Sequence, residues 1–356
     1  MGVSVQSSRK VICGWPTDVV SIAHHTHHQL SKGATSHNAI IFVPGNPGVI
    51  AWYIDWLAQI VESLGDGYSA HGASYAGHGI DRDVVGSGAD TDHSLKNSTY
   101  GSNKRDMEIS WTMAGQIQHK IAFVDSVLEE RNCESLFFIT HSIGANFVTA
   151  CLLSRPDICS MTRRIIHCLP FIRFDPPPAK KFLLSTVARF YKVSIETATT
   201  LLGMLLSIAK PEWIERMLLE KAAGIDCPEA RKIALGVFTN PDMVKSHLIL
   251  GLEEIRELPE SPNDVALRLL GECPTSILFC GADHWAPEFH MEDLRTLQSD
   301  STIPGNIELT YLGHLRHDFI VHPKMVGQVA NYCVDAIKGD RDRPDKTAGV
   351  TIRSRL

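Results

Sequence analysis

The chain alternates short, mostly apolar runs with amphipathic stretches. Ala39–Val43 (Ala-Ile-Ile-Phe-Val), Ser135–Thr140 (Ser-Leu-Phe-Phe-Ile-Thr), Arg164–Leu169 and Ser276–Cys280 (Ser-Ile-Leu-Phe-Cys) have strand length and little polar alternation. Such runs fit strands buried on both faces, as in a parallel sheet covered by helices. Shorter strands are expected to end near Ser74 and to span Ile307–Tyr311, and residues 9–24 read as a hairpin of two strands. Between the strands, helical spacing predicts helices near Trp52–Leu64, stopped by Gly65 and Gly67, and over Ile143–Leu153. A third covers Ser110–Arg131, with Ile117, Ile121, Val124 and Val127 on its apolar stripe, and a last one runs from Pro323 to about Lys338. Strand and helix in alternation predict an α/β fold with a mostly parallel, doubly wound sheet.

The alternation breaks after Pro170. Asp175-Pro176-Pro177-Pro178 forms a stiff connector. From about 179 to 270 the pattern is nearly all helical, with Leu183, Val187, Phe190 and Tyr191 on one face, a dense apolar run at Leu201–Ala209, and a helix at Trp213–Ala223. The expected organisation is a core at 1–170 and 273–340, a helical cap insertion at 171–272, and a charged tail at 341–356. Residues 80–107, rich in Gly, Ser, Asp and Asn, read as a surface loop.

Composition narrows the field by exclusion. At 356 residues, 44% hydrophobic and 21% charged, the chain suits one large α/β domain with an insertion. A formal net charge of -6 argues against a nucleic-acid partner. The nine cysteines are scattered without a C-x-x-C pair, which argues against a zinc or redox motif; their odd number and the lack of a leader point to a reducing compartment. No run reaches the ~18 apolar residues of a spanning helix. Met1-Gly2 opens like a myristoylation signal, but Gln6 stands where Ser or Thr is needed. His24, His25, His27 and His28 read as a polar turn, since no carboxylate or Cys accompanies them. Neither a metal nor a cofactor is expected. Ser354-Arg355-Leu356 resembles the peroxisomal S-K-L address, with Arg for Lys.

The candidate chemistry lies at strand ends. Ser142, in Thr140-His141-Ser142-Ile143-Gly144, follows a buried strand and precedes a helix. That is the context of a nucleophile elbow, although Thr140 stands where the G-x-S-x-G pattern has its first glycine; the bland alternative is a helix-capping serine. A serine hydroxyl needs a base, and the base needs an orienting acid. Asp283, in Cys280-Gly281-Ala282-Asp283, follows the buried strand Ser276–Cys280, nearer its end than Glu288 or Asp293. The base must follow the acid in the chain, and both His314 and His317 qualify. Two backbone N–H groups must hold the oxyanion. Ile143, after the nucleophile, is one; in Pro44-Gly45-Asn46-Pro47-Gly48 proline cannot donate, so Gly45 or Asn46 must, and Asn46 is chosen, with Gly45 allowing close approach. His78 and His141 are candidates for lining the same pocket.

Pro44-Gly45-Asn46-Pro47-Gly48, Ala76-Gly77-His78, Gln116-Ile117-Gln118-His119-Lys120, His141-Ser142-Ile143-Gly144 and His317-Asp318-Phe319-Ile320-Val321 together resemble the lipid droplet-associated hydrolases. The resemblance runs in order from about Ile40 to Ile337. It implies an α/β-hydrolase fold and a serine esterase acting on neutral lipid esters, such as sterol esters or acylglycerols, at the lipid droplet monolayer. A cytoplasmic or endoplasmic reticulum setting goes with it. It also implies that the base opens a His-x-Phe segment, which selects His317 over His314. The insertion would then cover the site or lie on lipid, with Lys180, Lys181 and Lys210 flanking its apolar segments. Two rivals remain: a droplet-binding protein with little catalysis, and a peroxisomal acyl-CoA thioesterase. Epoxide hydrolase or dehalogenase chemistry is disfavoured, since it needs a carboxylate where Ser142 stands.

Overall fold

The computed structural model describes residues 2–24, 37–79, 112–131, 133–176, 227–261, 273–281, 283–300 and 306–341, with isolated positions at 195, 197, 199–201, 224, 225 and 303. Its strands are β1 (Val3–Ile12), β2 (Trp15–His24), β3 (His37–Val43), β4 (Tyr68–Ala73), β5 (Cys133–His141), β6 (Thr162–Cys168), β7 (Thr275–Cys280) and β8 (Ile307–Leu312). They form one sheet in the order β1-β2-β4-β3-β5-β6-β7-β8. β1 and β2 are an antiparallel hairpin and β2 is antiparallel to β4; every other pairing is parallel. The hairpin begins at Val3 rather than at residue 9. β1 is a half-buried edge strand, so its polar positions hide the apolar signal that marks the central strands.

The described helices are α1 (Ile54–Leu64), α2 (Met113–Glu130), α3 (Gly144–Ser154), α4 (Pro156–Met161), α5 (Pro228–Phe238), α6 (Pro241–Glu257), α7 (Glu288–Ser299) and α8 (Pro323–Arg341). Trp56, Leu57, Val61, Val329 and Cys333 of α1 and α8 cover one face of the sheet, against Ile40, Phe42 and Ile139. Phe123, Val124, Phe147 and Val148 of α2 and α3 cover the other, against Ile41, Phe138 and Ile165. Alternate residues of β3 and β5 thus enter different cores, which is why those strands read as apolar without alternation. α4 has six residues, too few for a helical period to show in sequence. α8 runs three residues past Lys338, to Arg341.

The strand order positions the site. After β3 the chain moves to β4 on one side, then returns to β5 on the other. The loops leaving β3 and β5 therefore diverge and open a crevice at the carboxyl ends of these strands, where ligands of open α/β sheets bind. In the long connection between β6 and β7, α5 and α6 lie over the loop after β3. Trp52 donates its indole N–H to Ala230 O at 3.2 Å, and Val49 packs with Ile233, Val237 and Met243. Leu183, Val187, Phe190, Tyr191, most of Leu201–Ala209, Trp213–Ala223, the 80–107 loop, the histidines at 25, 27 and 28, and Ser354-Arg355-Leu356 lie outside the described residues. So do Lys180, Lys181 and Lys210. Among the described residues no helix is long and apolar enough to cross a membrane.

Candidate active site

Ser142 stands at the sharp turn between β5 and α3. Its φ of 53° lies in the left-handed region, where a residue with a Cβ is held only at a cost. Strand pairing and the helix start fix it there: Ser142 N–H donates to Cys168 O at 3.2 Å, and Ser142 O accepts from Ala145 N–H at 3.1 Å. Space around the turn is minimal. A Cβ on Gly144 would lie 2.4 Å from Val43 O, and one on Gly45 would lie 2.8 Å from Ser142 Cβ. The glycine that the turn requires is therefore Gly144. Thr140 is fully buried and hydrogen-bonds through Oγ1 to His167 Nδ1 at 2.7 Å, so its side chain has a place in the strand layer. Its departure from the glycine pattern is accommodated there.

Ser142 Oγ is 2.9 Å from His317 Nε2, and His317 Nδ1 is 2.8 Å from Asp283 Oδ2. The loops that carry the acid and the base touch, for a Cβ on Gly281 would lie 2.2 Å from Gly313 O. Asp283 Oδ1 accepts the amide N–H groups of Trp285 (2.8 Å) and Ala286 (3.1 Å). Burial raises the Asp283 pKa, but the His317 hydrogen bond and charge and the two amides outweigh it, and the carboxyl falls to about 2. Asp283 is thus a carboxylate at neutral pH. His314 is exposed and hydrogen-bonded to Gln328, away from Ser142. Glu288 meets the Tyr311 hydroxyl and Asp293 pairs with Arg173. Of the sequence candidates, the structure brings together Ser142, Asp283 and His317.

His141 is buried beneath this row. His317 O only accepts, so His141 Nε2 carries the proton it donates there at 2.9 Å, and His141 Nδ1 accepts from the Tyr53 hydroxyl at 2.8 Å. Burial, followed by the charge of His317, lowers the His141 pKa to about 3, so the ring stays neutral. Burial raises the Tyr53 phenol, and the Gly45 amide opposes that rise. Tyr53 and His141 thus tie the β3 loop to the backbone of His317. Tyr53 has no signal in the sequence, since its partner lies 88 positions away. Tyr53→Phe leaves a buried His141 nitrogen without a donor. It is expected to cost about 1–3 kcal/mol of stability and to lower kcat roughly threefold to tenfold. Denaturant unfolding and steady-state kinetics check this, and a variant equal to the parent in both would show that the link carries nothing.

Neither the Ile143 nor the Asn46 amide N–H has an acceptor among the described residues. Ile143 sits at the N-terminus of α3, where the helix dipole favours negative charge. His78 is buried under the β3 loop, with Nδ1–H donated to Pro47 O; burial holds its pKa near 4 and its Nε2 has no partner among the described residues. Among the described residues no three His, Cys, Asp or Glu side chains group to hold a metal ion.

A family described as lipid-droplet associated hydrolase matches residues 36–320. The human lipid droplet-associated hydrolase is 23% identical over 301 residues, covering 85% of each chain. That of Gallus gallus is 22% identical over 284 residues, covering 79% of each. Among solved structures, an epoxide hydrolase of Vigna radiata superposes with a TM-score of 0.56 at 15% identity, over 94% of this chain and 98% of that one. A serine hydrolase from Cycloclasticus zankles gives 0.55 at 14% identity, over 96% and 100%. These structures share the fold of this chain.

Proposed function

The chain belongs to the lipid droplet-associated hydrolase family, a family of α/β-hydrolases, and from that premise we propose that it is a serine esterase of neutral lipid esters. The observation that carries the proposal is the unbroken row Ser142 Oγ, His317 Nε2, His317 Nδ1, Asp283 Oδ2, with contacts of 2.9 and 2.8 Å. Ser142 Oγ attacks the acyl carbon while His317 Nε2 takes its proton. Asp283, ionised, holds the proton on His317 Nδ1 and stabilises the imidazolium that forms. The Asn46 and Ile143 amides hold the oxyanion. As the tetrahedral adduct collapses, His317 returns the proton to the departing alcohol and the acyl group stays on Ser142. Water, deprotonated by the same imidazole, then releases the acid.

The substrate class rests on the names of the relatives and on the surface beside the acid. Trp285 and Phe289 are 41% and 43% exposed, and Trp285 meets Phe171 edge to face with ring centroids 5.0 Å apart. Aromatic rings at the edge of a site suit contact with a lipid monolayer. Sterol esters and acylglycerols are the proposed substrates, the droplet surface the proposed location, and residues 171–272 the proposed cap over the acyl chain. The test is labelling with a fluorophosphonate probe, followed by hydrolysis of sterol ester and triacylglycerol emulsions. Labelling of the parent protein but not of Ser142→Ala, with release of fatty acid from an emulsion, is the expected result. Equal labelling of both, or none of the parent, would leave a droplet-binding protein without catalysis. Labelling without emulsion hydrolysis would move the substrate to soluble esters.

A further inference from the structure

The loop Pro44–Gly48 is held from two directions. From the core, the Tyr75 hydroxyl donates to Pro44 O, Tyr75 N–H to Gly48 O at 2.8 Å, and His78 to Pro47 O. Asn46 turns its side chain toward the β6–β7 connection. Asn46 Nδ2 donates to His247 O at 3.2 Å, and His247 Nδ1–H donates to Asn46 Oδ1 at 2.9 Å. This pair of bonds needs one donor and one acceptor on the same side chain, which an amide supplies and an aspartate does not. Two turns further along the same face of α6 is Glu254, buried, with Oε1 unpartnered among the described residues.

We propose that α6 sets the oxyanion hole, with His247 as the positioning residue that holds Asn46 and, through it, the backbone N–H that meets the developing charge, and with Glu254 on the same helix face as the buried carboxyl beside it. The inference rests on the serine-esterase reading above. The carbonyls on both sides of Asn46 are fixed by core groups. Freeing the Asn46 side chain therefore loosens the one residue that carries the donor. Seating α6 on the core completes the site, and unseating it leaves the row of Ser142, His317 and Asp283 intact but the oxyanion poorly held.

Glu254 gives this arrangement a signature in pH. Burial pushes its carboxyl up to about 8; the Asn46 amide lies close enough to oppose that rise in part, though not in hydrogen-bond geometry. Below that pH the group is neutral, and above it a negative charge appears beside Asn46, where the oxyanion must form. The other titratable groups here are Tyr75 from the loop after β4, raised by burial and by Glu254, His78, His247 on α6 itself, and Lys120 from α2. His78 and His247 are near 4 and stay neutral throughout this range. Lys120 lies over the Tyr75 ring, 4.8 Å from its centroid, and burial holds it well below its usual value.

The test uses the full chain, a soluble p-nitrophenyl ester, and fluorophosphonate labelling of Ser142. His247→Ala is expected to lower kcat about tenfold or more, with KM changed less than about twofold, since an oxyanion donor acts mainly in the transition state. His247→Asn, whose Nδ2 replaces Nδ1, restores most of the loss. In the parent, kcat falls as pH rises through about 8; Glu254→Gln removes that fall. An unchanged kcat in His247→Ala, no rescue by His247→Asn, or an alkaline fall that persists in Glu254→Gln and so belongs to Lys120, would each overturn the proposal. If His247→Ala does not fold, Asn46→Ala, which removes both bonds to α6 and keeps the backbone N–H, takes its place, and an unchanged kcat there overturns the proposal. A parent protein that neither labels at Ser142 nor turns over the ester overturns the esterase reading and this inference with it.

Discussion

Ser142→Ala is expected to lower kcat for ester hydrolysis by at least roughly ten-thousand-fold, with little change in stability. The size follows from what is lost: the atom that attacks, and with it the acyl-enzyme route. The small structural effect follows from what stays. The side chain is small, and the turn is fixed by backbone bonds to Cys168 O and from Ala145 N–H rather than by the hydroxyl. Alanine at a φ of 53° bears the same backbone cost as serine. The residual rate would come from binding and from the Asn46 and Ile143 amides. His317→Ala and the double variant should fall to about the same floor, because the two groups act as one unit. Steady-state hydrolysis with thermal unfolding as a control checks this. A Ser142→Ala protein that keeps more than about one hundredth of the parent rate would mean that another group attacks the ester.

How much of this was legible in the sequence depends on how local each signal is. Ser142 and Asp283 each follow a strand whose apolar run is visible without any structure, and the loops at those strand ends are forced toward one crevice. The choice between His314 and His317 is different, since both lie in one short loop after β8. Leu315 decides it. It is buried in the core under α8, with its N–H on Leu312 O at 3.0 Å, and so pins the loop between the two histidines. His314 is left toward Gln328 and His317 toward Ser142. No spacing rule predicts that; only the family resemblance separates the two, and it names the histidine that lies beside Ser142. Tyr53, His247 and Glu254 were invisible for a related reason. Their partners lie far along the chain, 88 residues from Tyr53 to His141 and 201 from Asn46 to His247. A helical face can show that positions 247 and 254 align, but not what the face covers. Thr140 is visible as an oddity in the sequence, but its partner is not, because His167 supplies it from the next strand.

Asp283→Asn is expected to cost about as much as losing the base, roughly ten-thousand-fold in kcat near neutral pH, although it removes no atom that touches substrate. The reason is which way the new amide must point. Oδ1 of Asp283 accepts two backbone N–H groups, from Trp285 and Ala286. An asparagine keeps those bonds only if its carbonyl oxygen takes that position, which turns its NH2 group toward His317 Nδ1. A donor facing Nδ1 stabilises the tautomer with the proton on Nε2. His317 Nε2 is the atom 2.9 Å from Ser142 Oγ, and with a proton already on it the ring cannot take another from the serine. The substitution thus leaves the distances intact and reverses the direction of proton flow. The fold should survive, because both amide bonds to the acid loop are kept and the buried site loses a charge rather than gaining one. Steady-state kinetics at pH 7 with unfolding as a control, and the rate of fluorophosphonate labelling, should fall together. An Asp283→Asn protein within about tenfold of the parent would mean that His317 takes its orientation from another acid. Asp318 would be the first to examine, although its carboxylate is already shared between Arg316 and His322.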